Sequence, residues 1–222
     1  MIAAMLTRVA WGGVVALNAL TVGLLVVPLL TSLAVSLTPS EYVSLPTDRI
    51  SLRWYAQFFG DFRWMSALGN TLLIAGLTMA LSFPVGLLAA IGFTRYHLRW
   101  KAAAGTAIML PLFVPAVVLG IGSLVFHRAI GLWGTPLSIA AAHALWAIPL
   151  VFVVLRSTLA GVDRAVEEAA AGLGANPARV LWEVTLPLVA PGVFVALLFA
   201  FIISTNEFIM SLFLATPRTR TL

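Results

Sequence analysis

The stretch Glu167–Pro187, EEAAAGLGANPARVLWEVTLP, is polar and carries charges of both signs, while almost everything on either side of it is apolar. Its local signals are those of two short helices joined at a fixed bend. Asp163 can cap the start of the first, with Glu167 and Glu168 near its positive end. The Ala-rich run EEAAAGL propagates that helix, and Gly174 is placed to stop it in the left-handed conformation. Asn176 can cap a second helix with Pro177 at its first position, running through ARVLWEVT until Pro187. Val166, Leu173, Val180, Leu181 and Val184 give this elbow an apolar side. Two readings fit it equally: a knob on which another protein docks, and an amphipathic connector lying against a membrane.

The surroundings of the elbow bring in the membrane. The chain has 222 residues, 61% of them hydrophobic and only 9% charged, against roughly 25% charged in soluble domains. That composition predicts an all-α integral membrane protein. Five apolar spans are expected, at about 9–37, 66–92, 102–126, 136–155 and 190–215. They are read as helices because no alternation of the barrel kind appears. Pro28, Pro84, Pro111, Pro115 and Pro149 fall in or near the spans, which suggests kinks. The organisation expected is a first membrane helix with an external interfacial loop, 1–65, followed by a core, 66–222, with the polar loop at 156–189. The aromatics Trp54, Tyr55, Phe58, Phe59 and Trp64 suit a short amphipathic segment at the interface.

The net charge of +5 comes from twelve arginines and one lysine. Its simplest meaning is topological. The short loop FTRYHLRWK, residues 93–101, holds Arg95, Arg99 and Lys101 with no acid, so it is placed on the cytoplasmic side, and the elbow with it. No soluble basic face suggests nucleic acid. There is no cysteine, which removes disulfides, Cys-ligated zinc and thiol chemistry.

The spacing inside the elbow is more specific than its composition. Glu168-Ala169-Ala170, three residues, Gly174, nine residues, then Val184-Thr185-Leu186-Pro187 resembles the EAA loop of ABC-importer permeases, with only the usual Ile replaced by Val. The resemblance extends over roughly 50–222. It takes in WYAQFFGDFRWMSALGNTLLIAGLTMALSFPVGLLAAIGFTRY (54–96). It also takes in NEFIMSLFLATPRTRTL (206–222), which is similar to the PotC-like permeases of spermidine/putrescine importers. This implies a type I, MetI-like permease bundle in which the elbow is a coupling helix seated on an ATPase. Glu168, Ala169, Ala170 and Gly174 would be its docking residues, with Pro187 launching the next span. It also implies the partners: ABC ATPase subunits, a second permease forming a homo- or heterodimer, an extracytoplasmic solute-binding protein, and lipid. The place implied is a bacterial cytoplasmic membrane. The family usually continues into a further helix, which is expected to be missing after the fifth span, through truncation or a shortened gene.

Other chemistry is not expected in this chain. There is no P-loop, so ATP and its Mg are expected on a partner subunit. His97, His127 and His143 are scattered without a metal-binding pattern, and no nucleophile elbow exists, so neither a metal site nor a catalytic residue is assigned. Glu207 is the one acid within a span. Such a residue usually faces a cavity or a partner. With Asn206 it is a candidate for a substrate pathway that attracts a cation; a salt bridge to another subunit, or a place near the outer interface, fits equally. Ser204, Asn70 and Trp146 are weaker candidates. Polyamine is the first expectation for cargo. Ferric iron, thiamine and aminophosphonate are the alternatives, and an ion-coupled secondary transporter is the competing class.

Overall fold

The computed structural model describes residues 2–46, 49–97 and 99–222, with side chains from Trp11 onward. The chain forms two compact units, 1–65 and 66–222.

In the first unit, α1 (Ile2–Ser36) is a continuous helix that carries Pro28 within it. Its side chains from Trp11 are apolar and mostly exposed, as a helix surrounded by lipid tails requires. A loop then folds back against the helix end. Trp54 Nε1 donates to the Thr38 carbonyl at 2.9 Å, and Ser51 N donates to the Leu37 carbonyl at 2.8 Å. The short amphipathic helix α2 (Arg53–Gly60) follows, with the rings of Phe58 and Phe59 packed edge to face.

Helix α3 (Phe62–Arg95) begins in the last residues of the first unit and continues through the second, whose further helices are α4 (Lys101–Met109), α5 (Ala116–Ala129), α6 (Pro136–Ala160), α7 (Arg164–Gly172), α8 (Pro177–Val180), α9 (Leu186–Leu188), α10 (Ala190–Asn206) and α11 (Ile209–Leu214). The centre is α6, which buries Ile139, Ala140, His143, Ala147, Val151, Phe152, Leu155 and Leu159. Helix α10 packs along it, with Ala196 and Ala200 in the contact. Small residues suit this role, because helices in lipid associate through close van der Waals packing rather than through the hydrophobic effect. One apolar cluster, around Phe93, Phe152, Leu155 and Leu159, lies towards the elbow. A second, around Ile74, Ile139, Met210 and Leu214, lies towards the other end.

Three spans are continuous, α1, α3 and α6, and Pro84 and Pro149 sit inside the last two without breaking them. The other two are broken rather than merely kinked. The third runs through α4 and a 3₁₀ turn, Leu110–Phe113, then bends by 101° into α5. Pro115 explains the break: it has no N–H to give to the Pro111 carbonyl four residues back. That carbonyl accepts instead from Val114 N at 3.3 Å and from Trp146 Nε1 at 2.9 Å. The fifth span, expected at about 190–215, stops at Asn206 and restarts at Ile209. The run Thr205-Asn206-Glu207 accounts for this, since each of these side chains competes for backbone groups. Thr205 Oγ1 donates to the Phe201 carbonyl and Asn206 Nδ2 to that of Ile202, while Glu207 Oε1 accepts from Met210 N at 2.9 Å.

Candidate functional site: the elbow and the broken spans

The elbow folds as its sequence dictates. The carboxylate of Asp163 accepts from Ala165 N at 2.9 Å and opens α7. Gly174 follows that helix with φ +92°. Ala175 N donates to the Ala170 carbonyl and Gly174 N to that of Ala171, a Schellman stop that only a left-handed residue permits. Asn176 then accepts from Arg179 N at 2.8 Å, and Pro177 begins α8. The second arm departs from expectation beyond this point. It does not end at Pro187, but widens into a π turn, Leu181–Thr185, and runs through α9 before turning by 81° into α10.

The expected apolar side divides in two. Val180, Leu181 and Val184 are half-buried, whereas Val166 is exposed and Leu173, at the tip beside Gly174, is 91% exposed. Ala169 and Ala170 lie on α7, none of whose residues is fully buried. Pro187 lies in α9 at the turn into α10.

The two adjacent acids are used differently. Glu168 points outward and pairs with Arg164 at 2.9 Å, both side chains being more than half exposed. Glu167 points inward. Its Oε2 lies 2.8 Å from Arg95 Nε, and its Oε1 accepts from Arg95 Nη2 at 3.1 Å and from Thr185 Oγ1 at 2.9 Å. Only 14% of the Arg95 side chain and 13% of that of Glu167 is exposed. Sequence reasoning assigned Arg95 a topological role alone and gave Glu167 only a place near the helix start. The available signal was the helical rotation of about 100° between neighbours, which cannot put both acids on one face. Beside this cluster is a cleft of about 500 Å³, lined among others by Leu88, Tyr96, Ala171 and Ala178.

The pathway candidates fall at and around the breaks. Glu207 is half-buried between α10 and α11, with its carboxylate capping α11. Asn206 ends α10 and is exposed. Ser204 is buried, Trp146 holds the break at Pro111, and Asn70 donates to the Arg218 and Arg220 carbonyls. The residue that the sequence did not single out is His143. It is wholly buried, with Nδ1 2.9 Å from Ser204 Oγ and Nε2 3.1 Å from Ser211 Oγ. Ser211 Oγ donates to the Glu207 carbonyl, so Nε2 carries the ring proton and Nδ1 accepts from Ser204. Thr78 Oγ1, 3.2 Å from Ser204 Oγ, ties α3 to the same network. Among the described residues no three His, Cys, Asp or Glu side chains are grouped as a metal site would need.

Residues 82–220 match the family model described as binding-protein-dependent transport system inner membrane component. Among curated proteins, the putrescine transport system permease protein PotI of Escherichia coli is 34% identical over 181 residues, 78% of this chain. The chain spans 64% of that relative's length. The spermidine/putrescine transport system permease protein PotC of Haemophilus influenzae is 29% identical over 86% of this chain and 74% of its own. The sulfoquinovosyl glycerol transport system permease protein SmoH of Agrobacterium fabrum is 30% identical over 76% of this chain and 59% of its own. Among solved structures, a bacterial ABC transporter that imports the acidic polysaccharide alginate superposes with a TM-score of 0.72. It covers 92% of this chain and 75% of its own at 20% identity, a likeness of fold.

Proposed function

This chain belongs to the binding-protein-dependent transport system inner membrane component family, and from that premise we propose that it is the permease subunit of an ATP-driven importer in a bacterial cytoplasmic membrane. A solute-binding protein delivers cargo from outside, a second permease completes the pathway, and ATPase subunits dock on the elbow. ATP and its Mg are held by those subunits. The observation that carries the reading is the elbow itself: a rigid, capped turn that presents an almost fully exposed Leu173 beside Gly174. A polar turn fixed by its own caps between two apolar spans is preorganised for a protein partner, which lowers the cost of docking.

The cargo proposed is a small polyamine cation. The similarity to permeases named for putrescine and spermidine supports it, as does an acid at a break within a span. The end of α10 directs backbone carbonyls toward Glu207, and a helix C-terminus favours positive charge. The relation to a sulfoquinovosyl glycerol permease favours a sugar derivative as the second reading.

Two measurements test this. The intact protein is expected to retain an ATPase subunit through purification, and Gly174→Trp to abolish uptake. At φ +92° any side chain is strained by about 1–2 kcal/mol, and the indole adds bulk at the docking tip. No retained ATPase, together with normal uptake by Gly174→Trp, would sink the importer reading. For the cargo, Glu207→Gln keeps an oxygen for Met210 N and removes only the charge. Radiolabelled putrescine uptake should fall about tenfold, the effect of losing about 1.4 kcal/mol of attraction, while assembly is intact. An unchanged rate would remove Glu207 from the pathway.

A further inference from the structure

One carboxylate joins three segments that are far apart in sequence. Arg95 is the last residue of α3, Glu167 lies in the first turn of α7, and Thr185 ends the π turn of the elbow's second arm. Glu167 receives Arg95 through both oxygens, at 2.8 and 3.1 Å, and Thr185 through Oε1 at 2.9 Å. Around this centre, Arg95 Nη2 reaches the Val162 carbonyl at 3.5 Å, and Arg164 Nη1 reaches the Arg95 carbonyl at 3.4 Å. Thr185 is buried, and the π turn is the irregularity that ends at it. Such turns are often found at functional sites.

Helix α7 has no buried residue, so apolar packing does little to fix it to the bundle. The Arg95–Glu167 pair is, by contrast, largely shielded from water. A shielded pair resists separation far more than an exposed one such as Arg164–Glu168; here Arg95 Nη2 and Thr185 Oγ1 donate to the carboxylate, while Arg95 Nε meets Oε2 as an ion-pair contact without a hydrogen bond. A force on the elbow therefore has its shortest and most shielded side-chain link to α3 in this carboxylate, with the longer Arg164 contact beside it.

We propose that Arg95, Glu167 and Thr185 form the joint that passes displacement of the docked elbow to α3, so that Glu167 is a positioning residue for coupling ATP use to transport. This rests on the permease reading above. Glu168, one residue on, belongs to the outer, docking face; the joint belongs to the inner one.

The test uses the whole transporter, with its ATPases and binding protein, in proteoliposomes, following ATP hydrolysed and putrescine taken up in parallel. Glu167→Ala and Arg95→Ala are expected to keep the ATPase bound while uptake per ATP falls about tenfold. Thr185→Val, which removes one of the hydrogen bonds, should lower the ratio about twofold to threefold. The exchange Arg95→Glu with Glu167→Arg should recover part of the loss, and Glu167→Gln, which still accepts from Thr185, should lie between. An unchanged ratio in Glu167→Ala overturns the joint. So does loss of bound ATPase in proportion to uptake, because the pair would then serve only docking or folding. If the unaltered chain retains no ATPase at all, the permease reading falls and takes the joint with it.

Discussion

Gly86→Leu is expected to leave no recoverable folded protein. Gly86 lies on α3 where that helix crosses α6. A Cβ added there would sit 3.0 Å from Val151 Cβ and 3.1 Å from the backbone nitrogen of Phe152, with Val151 Cγ1 closer still. A side chain can rotate away, but the backbone of a buried helix cannot. Leucine places four carbons where one does not fit, so α3 and α6 must part. Overpacking of this kind costs about 1–3 kcal/mol where the surroundings adapt, and more where they do not. Separation would also open the apolar cluster of Leu87, Ala90, Phe93, Phe152 and Leu155. Size-exclusion profiles in detergent should show Gly86→Leu as aggregate and Gly86→Ala as a reduced monodisperse peak. A wild-type profile for Gly86→Leu would mean that the crossing is looser than described.

The second large effect is expected from His143→Leu. The imidazole bridges Ser204 on α10 and Ser211 on α11, and so holds both halves of the broken span to α6. Leucine fills the space but answers neither hydroxyl. Interhelical hydrogen bonds within membranes are worth about 0.6 kcal/mol on average and up to about 1.7. Loss of two predicts a thermal midpoint lower by about 5 °C for a domain of this size. Uptake should fall further than stability does, because α11 and the backbone of Glu207 lose the anchor that orients them. His143→Gln retains a donor and an acceptor and should lie between. Wild-type midpoint and uptake in His143→Leu would show that the bridge contributes nothing.

The elbow was legible because its determinants are local. Asp163, Gly174, Asn176 and Pro177 each act on backbone groups within a few residues, so the sequence alone carries their geometry. The choice between Glu167 and Glu168 is of another kind. It depends on Arg95, 72 residues earlier, and on which way α3 delivers it. The breaks were half legible: Pro111 and Pro115 announced a kink, but not a 101° turn, whose size is set by the packing of α5 against α11 and α6. His143 was missed because its partners lie 61 and 68 residues away and no motif joins them. A buried imidazole in an apolar span is itself a signal, and Ser204 and Ser211 on a single later span were the place to look.

His143 and Trp146 stand three residues apart, on adjoining turns of α6. One holds the hydroxyls of Ser204 and Ser211, on either side of the break at Asn206–Phe208; the other adds a second donor to the Pro111 carbonyl. A helix that stops within hydrocarbon finds no water to bond its free groups. At this depth α6 takes the part of the missing solvent for two neighbours at once. Two of this unit's breaks are thereby tied to one stretch of one helix. A shift of that turn along its axis would strain the His143 and Trp146 contacts together. The two breaks are thereby coupled through α6, although no bond joins one to the other.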